Sequence, residues 1–183
     1  RPPRPTPSNS SAASDVYKRQ KYGLEQNLFK ELGFKTPKEF LGYRIVANDV
    51  KSIADNALNL ANNIMALKKM IKDRLLLLNM PVDEEIYSQI LKFNSKAHFF
   101  FEESLKALFK RDYNLADKLI SEMESFVALE SDLIISMSAK KLDPNISSIL
   151  RLMIDSSRRI IECSRNIAEV TLNRTIEEIS QTF

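Results

Sequence analysis

Apolar residues recur in alternating steps of three and four along one stretch of the chain: Val50, Ile53, Ala57, Leu60, Ile64, Leu67 and Ile71. A helix turns once in about 3.6 residues, so this spacing lines them up as one continuous seam. Lys51, Asp55, Asn59, Lys68, Lys69 and Lys72 fall on the polar side. Thr36-Pro37 and Asp143-Pro144 each set a capping residue before a proline at the first helical position. Asn79-Met80-Pro81 and the polar run Arg111 to Asn114 interrupt the apolar periodicity. Together these signals predict four helices at about 37–78, 82–110, 114–139 and 144–180, with a shorter helical piece at about 22–34.

Only three glycines occur, and none follows Gly42. The later chain therefore lacks the positive-φ positions that β-hairpins usually need. The fold class is all-α. The first long helix would extend about 60 Å at 1.5 Å per residue, and only comparably long neighbours can cover its seam. Connections of a few residues force antiparallel packing, hence a helical bundle. An apolar fraction of 44% is ordinary for a globular protein. No apolar run approaches the roughly 20 residues of a membrane span, so a cytoplasmic protein without one is expected. A lone cysteine, Cys163, allows no internal disulfide.

Residues 1–20 do not fit this pattern. They hold four of the seven prolines and no apolar period. The string SSAASDVYKRQ, Ser10 to Gln20, matches the translation of a transposase-adapter sequence used in building sequencing libraries. The segment is read as a non-native, disordered tail. Its Arg1, Arg4, Lys18 and Arg19 outweigh Asp15 by the whole of the chain's +3 charge. Beyond it the chain is electrically balanced, which removes the charge argument for nucleic-acid binding. An adapter joined at Lys21 also implies a gene truncated upstream.

Self-comparison exposes an internal repeat at an offset of 107 residues. Pro37 meets Pro144 and Arg44 meets Arg151. Ile53, Asn59 and Ala61 meet Ile160, Asn166 and Ala168. Lys51, Asp55 and Leu60 meet the chemically similar Arg158, Glu162 and Ile167. Polar positions and the leading proline coincide in one register, which shared apolar spacing alone would not produce. Residues 81–183 then form one complete three-helix unit. Residues 21–80 keep the end of the second helix and all of the third helix of another, about two helices being missing upstream.

The segment DVKSIADNALNLA at 49–61 resembles the signature helix of the PhoU family, commonly ERIADHAxNIAE. RIIECSRNIAE at 159–169 resembles its second copy, and ALFKRDYNLA at 107–116 is similar to the family's turn between the first two helices of a repeat. The resemblance runs from Lys21 to the C-terminus. It implies tandem three-helix bundles, the first incomplete here, that regulate phosphate uptake by contact with a phosphate ABC transporter subunit or a sensor protein. Location would be cytoplasmic, peripheral to the membrane through the transporter. Some relatives carry a DNA-binding domain ahead of the repeats; nucleic-acid binding is not expected of this chain.

The resemblance also implies iron or zinc held by carboxylates four residues apart on the third helix of each repeat. Asp55 and Glu162 occupy the second carboxylate position, while Lys51 and Arg158 stand at the first. A cation there opposes a metal and favours an i,i+4 ion pair of about 0.3–0.5 kcal/mol, in the poorer basic-first orientation. Asp49, Asp155 and Glu169 are further carboxylates near these helices. No cofactor is expected. Arg44, Lys51, Asp55, Asn59, Arg151, Arg158, Glu162 and Asn166 are the polar positions of the two signature-like helices.

His98, the only histidine, reads as an ordinary polar-tipped helix residue, since a di-iron bundle needs two Glu-x-x-His motifs. Cys163 reads as inert core or near-core. Phe99, Phe100 and Phe101 span more than one helix face and are expected to pack against two neighbours, with exposed docking as the alternative. Lys68, Lys69, Lys72 and Arg74 suit a helix C-terminus, or a membrane surface. No phosphate-cradling glycine loop, zinc spacing or nucleophile–histidine arrangement occurs, so no enzyme is expected. Two rival readings stand beside the regulator: a metal-holding bundle and a purely structural helical oligomer. Lacking its two partner helices, the seam from Val50 to Ile71 should stay partly uncovered and drive self-association, which leaves room for a homodimer.

Overall fold

The computed structural model describes residues 28–31, 33–78, 84–140 and 142–180. The adapter-like tail, the break at 79–81 and most of the short piece at 22–34 lie outside them. Among the described residues every regular element is a helix: α1 (Leu28–Glu31), α2 (Pro37–Leu78), α3 (Glu84–Lys110), α4 (Tyr113–Ala139) and α5 (Pro144–Ser180). The bounds of α2 and α5 coincide with those expected. The start of α4 falls one residue earlier than expected, and the expected start of α3 at 82 lies outside the described residues.

The chain divides into two units, Arg1–Arg44 and Ile45–Phe183. In the first, Gly33 adopts φ +83° and returns its N–H to the Lys30 carbonyl at 3.0 Å, ending α1 in the left-handed region that glycine favours. Phe34 packs its ring on Phe40 and Tyr43, at 5.5 and 5.3 Å between centroids. Thr36 caps α2, its Oγ1 accepting the Glu39 N–H at 3.1 Å, and the Glu39 carboxylate accepts the Lys35 N–H at 2.8 Å. One orphan donor of the first turn and one just ahead of the cap are thereby satisfied.

In the second unit α3, α4 and α5 pack on one another around a common core. Burial along α3 falls at Ile86, Ile90, Phe93, Ala97, Phe100, Ser104 and Ala107, the three–four rhythm of a bundle helix. Phe100 is fully buried, Phe101 is half-buried and Phe99 remains exposed. Ala107, Ala116 and Ala168 form a small cluster of their own, where short side chains let helix axes approach closely.

The α3–α4 corner is tight. Arg111 takes φ 55°, the Asp112 N–H reaches back to the Ala107 carbonyl at 2.9 Å, and the Arg111 N–H reaches Leu108 at 3.4 Å. This is a Schellman ending built without glycine. Asp112 then caps α4 by accepting the Leu115 N–H at 3.0 Å. Arg111→Gly is expected to raise stability by up to about 1 kcal/mol, because the left-handed strain removed (about 1–2 kcal/mol) outweighs the freedom that glycine adds to the unfolded chain (about 0.4–1 kcal/mol); a lowered denaturation midpoint would contradict the cap.

The seam of α2 does not run where the apolar pattern alone places it. Val46, Asp49, Ile53, Asn56 and Leu67 are buried, and Leu60, Asn63 and Met70 are half-buried. Val50, Ala57 and Ile64, expected in the seam, are exposed. Two apolar stripes lie side by side on this helix, and the expected seam merged them. The stripe turned inward carries asparagines and an aspartate at every second step.

Candidate functional site

Two of the signature-like polar residues of α5, Arg158 and Glu162, meet Asp155 and Glu130 around one guanidinium. Arg158 donates to Asp155 Oδ1 at 2.9 Å, pairs with Glu162 on its own helix, and lies 3.5 Å from Glu130 of α4. Arg159 donates to the other Asp155 oxygen at 3.0 Å. Hydrogen bonds from Arg158 and Arg159 hold the Asp155 carboxyl below its ordinary range. Burial pushes Glu130 up, and Arg158 partly offsets that by attraction. Two turns further, Arg165 bridges Glu169 and Glu124 of α4, each at 2.9 Å.

The expected ion pairs of α2 and α5 thus part company. Arg158 and Glu162 pair, whereas Lys51 and Asp55, both exposed, make no ion pair among the described residues. A half-buried position between facing helices fixes a planar guanidinium, and an open helix surface leaves a lysine solvated.

Between α2 and α5 lies a polar seam that spacing alone did not reveal. Asn166 donates to Asp49 Oδ1 at 3.2 Å. Asp49 is buried, and its Oδ2 has no hydrogen-bond partner among the described residues. Cys163 is half-buried beside them; burial pushes its thiol up, and a hydrogen bond with Ser52 acts in the opposite direction. This is the environment of an unreactive thiol. Asn56 donates to the Ser52 carbonyl at 2.8 Å. Farther along, Asn56, Asn59, Asn62 and Asn63 face Leu152, Asp155, Ser156 and Arg159 across a cleft of about 460 Å³. The signal available in the sequence was the polar run at Asp49, Asn56 and Asn63, seven residues apart and in phase with Ile53 and Leu60.

Of the candidate residues, Asp49 meets Asn166, Asp155 joins Arg158 and Glu162, and Asn59 shares the cleft with Asp155. Asp55 joins neither group. Glu169 is tied to Arg165. Arg151 donates to Ser138 at 3.2 Å, and Arg44 is half-buried in the first unit. His98 is exposed, with Glu102 3.7 Å away.

The carboxylates do not fit the iron or zinc that the family resemblance implies. Glu130, Asp155 and Glu162 converge on Arg158, so a fixed positive charge already occupies the point at which a metal would need them. No group of three or more candidate ligands gathers among the described residues. No helix there is long and apolar enough to cross a membrane. Set against protein-family models, curated proteins and solved structures, the chain matches none.

Proposed function

We propose that this chain is a non-catalytic regulator of phosphate uptake of the PhoU type, built on tandem three-helix units and acting by docking on a phosphate ABC transporter subunit or a sensor protein. The reading is supported by the common register of α2 and α5. Each opens on a capped proline: Thr36 Oγ1 accepts the Glu39 N–H at 3.1 Å, and Asp143 Oδ1 accepts the Asn145 and Ile146 N–H groups at 2.8 and 3.2 Å. Val46, Asp49 and Ile53 are buried, as are Met153, Ser156 and Ile160 at the 107-residue offset. Leu60 is half-buried where Ile167 is buried. The shared proline cap and the coincidence of these buried positions at one offset support the reading, although other positions at that offset differ in burial.

The docking face under this reading is the asparagine-lined cleft, where residues from both signature-like helices meet beside Arg159. A regulator of this kind needs a rigid polar surface and no chemistry. The test is capture of a purified nucleotide-binding subunit of a phosphate ABC transporter by the immobilised chain. Saturable binding is expected, weakened about tenfold or more by Arg159→Glu through charge reversal in the cleft. No binding by the full chain would overturn the reading. The rival metal-holding bundle is separated by elemental analysis of the purified protein, since a cluster requires at least one bound ion per chain.

A further inference from the structure

The two walls of the asparagine-lined cleft are helical stretches of equal length. Asn56, Asn59 and Asn63 follow one another at steps of three and four on α2, and Leu152, Ser156 and Arg159 do so on α5. Each stretch rises about 10 Å, so the lining groups are strung out along a trough. Their hydrogen-bonding capacity is unspent. The side chains of Asn59 and Asn63 have no hydrogen-bond partner among the described residues, and Asn56 engages only its Nδ2, on Ser52. Ser156 lines the same cleft at 5% exposure, and its hydroxyl is also unpartnered among those residues. A polar group buried in this way costs free energy that a suitable ligand group recovers. The cleft carries no spare charge. Asp155 and Arg159, the two charged residues lining it, are bonded to each other at 3.0 Å. An anion would meet a guanidinium already held by a carboxylate, so the cleft is not built for inorganic phosphate. A side-chain amide instead offers a donor and an acceptor together, the same pair that a peptide unit presents.

We propose that the cleft holds an extended peptide segment of the docking partner, gripped by its main chain. Extended backbone advances about 3.3 Å per residue, so the trough takes about three residues. The amides of Asn59 and Asn63 pair with main-chain N–H and C=O groups, and Ser156 donates to a carbonyl from the facing wall. Leu152, 54% exposed at one end of its wall, gives a partner side chain an apolar contact. Main-chain hydrogen bonds supply the affinity in such a grip, and side-chain contacts the selectivity. The inference rests on the docking reading for the identity of its partner, but its test needs no transporter.

The probe is N-acetyl-tetraalanine amide, titrated into the isotope-labelled full chain while NMR follows the asparagine side-chain amides. Saturable shifts of the Asn59 and Asn63 signals are expected. Asn59→Ala and Asn63→Ala should each raise the dissociation constant about threefold, and the combined variant about tenfold. Neither side chain bonds to the rest of the chain, so circular dichroism should stay unchanged. The same peptide with its amide nitrogens methylated loses its donors and should bind about tenfold more weakly. Absence of saturable shifts, equal binding of the methylated peptide, or the same response to inositol or inorganic phosphate would each overturn the proposal. A silent peptide beside intact transporter capture would sink this inference alone. Peptide binding without transporter capture would instead sink the phosphate reading and leave the peptide grip standing.

Discussion

Phe100→Ala is expected to destabilise the second unit by about 3–5 kcal/mol, the largest single-residue effect in this bundle. Phe100 is 0% exposed. Its ring meets the Phe126 ring edge-on at 5.6 Å, and Phe126 in turn stacks on Phe93 at 5.0 Å. Truncation removes the transfer free energy of the ring and leaves a cavity that two rigid helices cannot close. Phe99, one position earlier, is 40% exposed and touches Phe100 only in a tilted contact at 5.9 Å. Phe99→Ala should therefore cost less than about 1 kcal/mol. Urea denaturation of both variants gives the comparison. Equal losses would mean that α3 is rotated about its axis relative to the arrangement found here.

Arg158→Ala should lower stability by about 1–3 kcal/mol at neutral pH, with a deficit that shrinks on acidification. The sign follows from two carboxylates. Burial, opposed by Arg158, raises Glu130 in the folded state. A raised carboxyl gives stability that is full below its unfolded pKa and is lost as pH climbs through its folded one. Asp155 is lowered by the bonds from Arg158 and Arg159, so its contribution is present above its unfolded pKa and lost as pH falls through the folded one. Removing the guanidinium drives Glu130 further up and weakens the hold on Asp155, which keeps Arg159. At neutral pH the variant carries Glu130 and Glu162 as neighbouring anions without their shared cation. As pH falls, protonation of Glu130, whose pKa burial has raised, relieves that repulsion. Glu130→Gln in the same background should recover part of the loss at neutral pH, because a neutral amide needs no counter-charge. A deficit unchanged between about pH 5 and 8 would show that Arg158 acts only through its packing.

The helices were legible because their signals are local. Capped prolines at Thr36-Pro37 and Asp143-Pro144 fixed both starts, and absence of glycine after Gly42 left no competing hairpin. The α3–α4 corner was found as a polar break, but its left-handed Arg111 was not, since arginine carries no signature of positive φ. The candidate residues divided in the same way. Spacing put Arg158 and Glu162 on one face, and they pair there. Nothing in the spacing distinguished Lys51 and Asp55, which have the same separation and stay apart. The difference is Glu130 of α4, a residue 28 positions away from Arg158 in the chain, whose carboxylate helps to hold that guanidinium.

By itself the sequence determined the helices and the turns between them, because each follows from interactions within one or two turns of chain. Only the tertiary structure decided which of two adjacent apolar stripes on α2 faces α5, and so why Asp49 and Asn56 are buried while Val50 and Ile64 are exposed. A period of 3.6 residues fixes which side chains share a face. It cannot say which face meets a neighbour, because that depends on where the other helices lie.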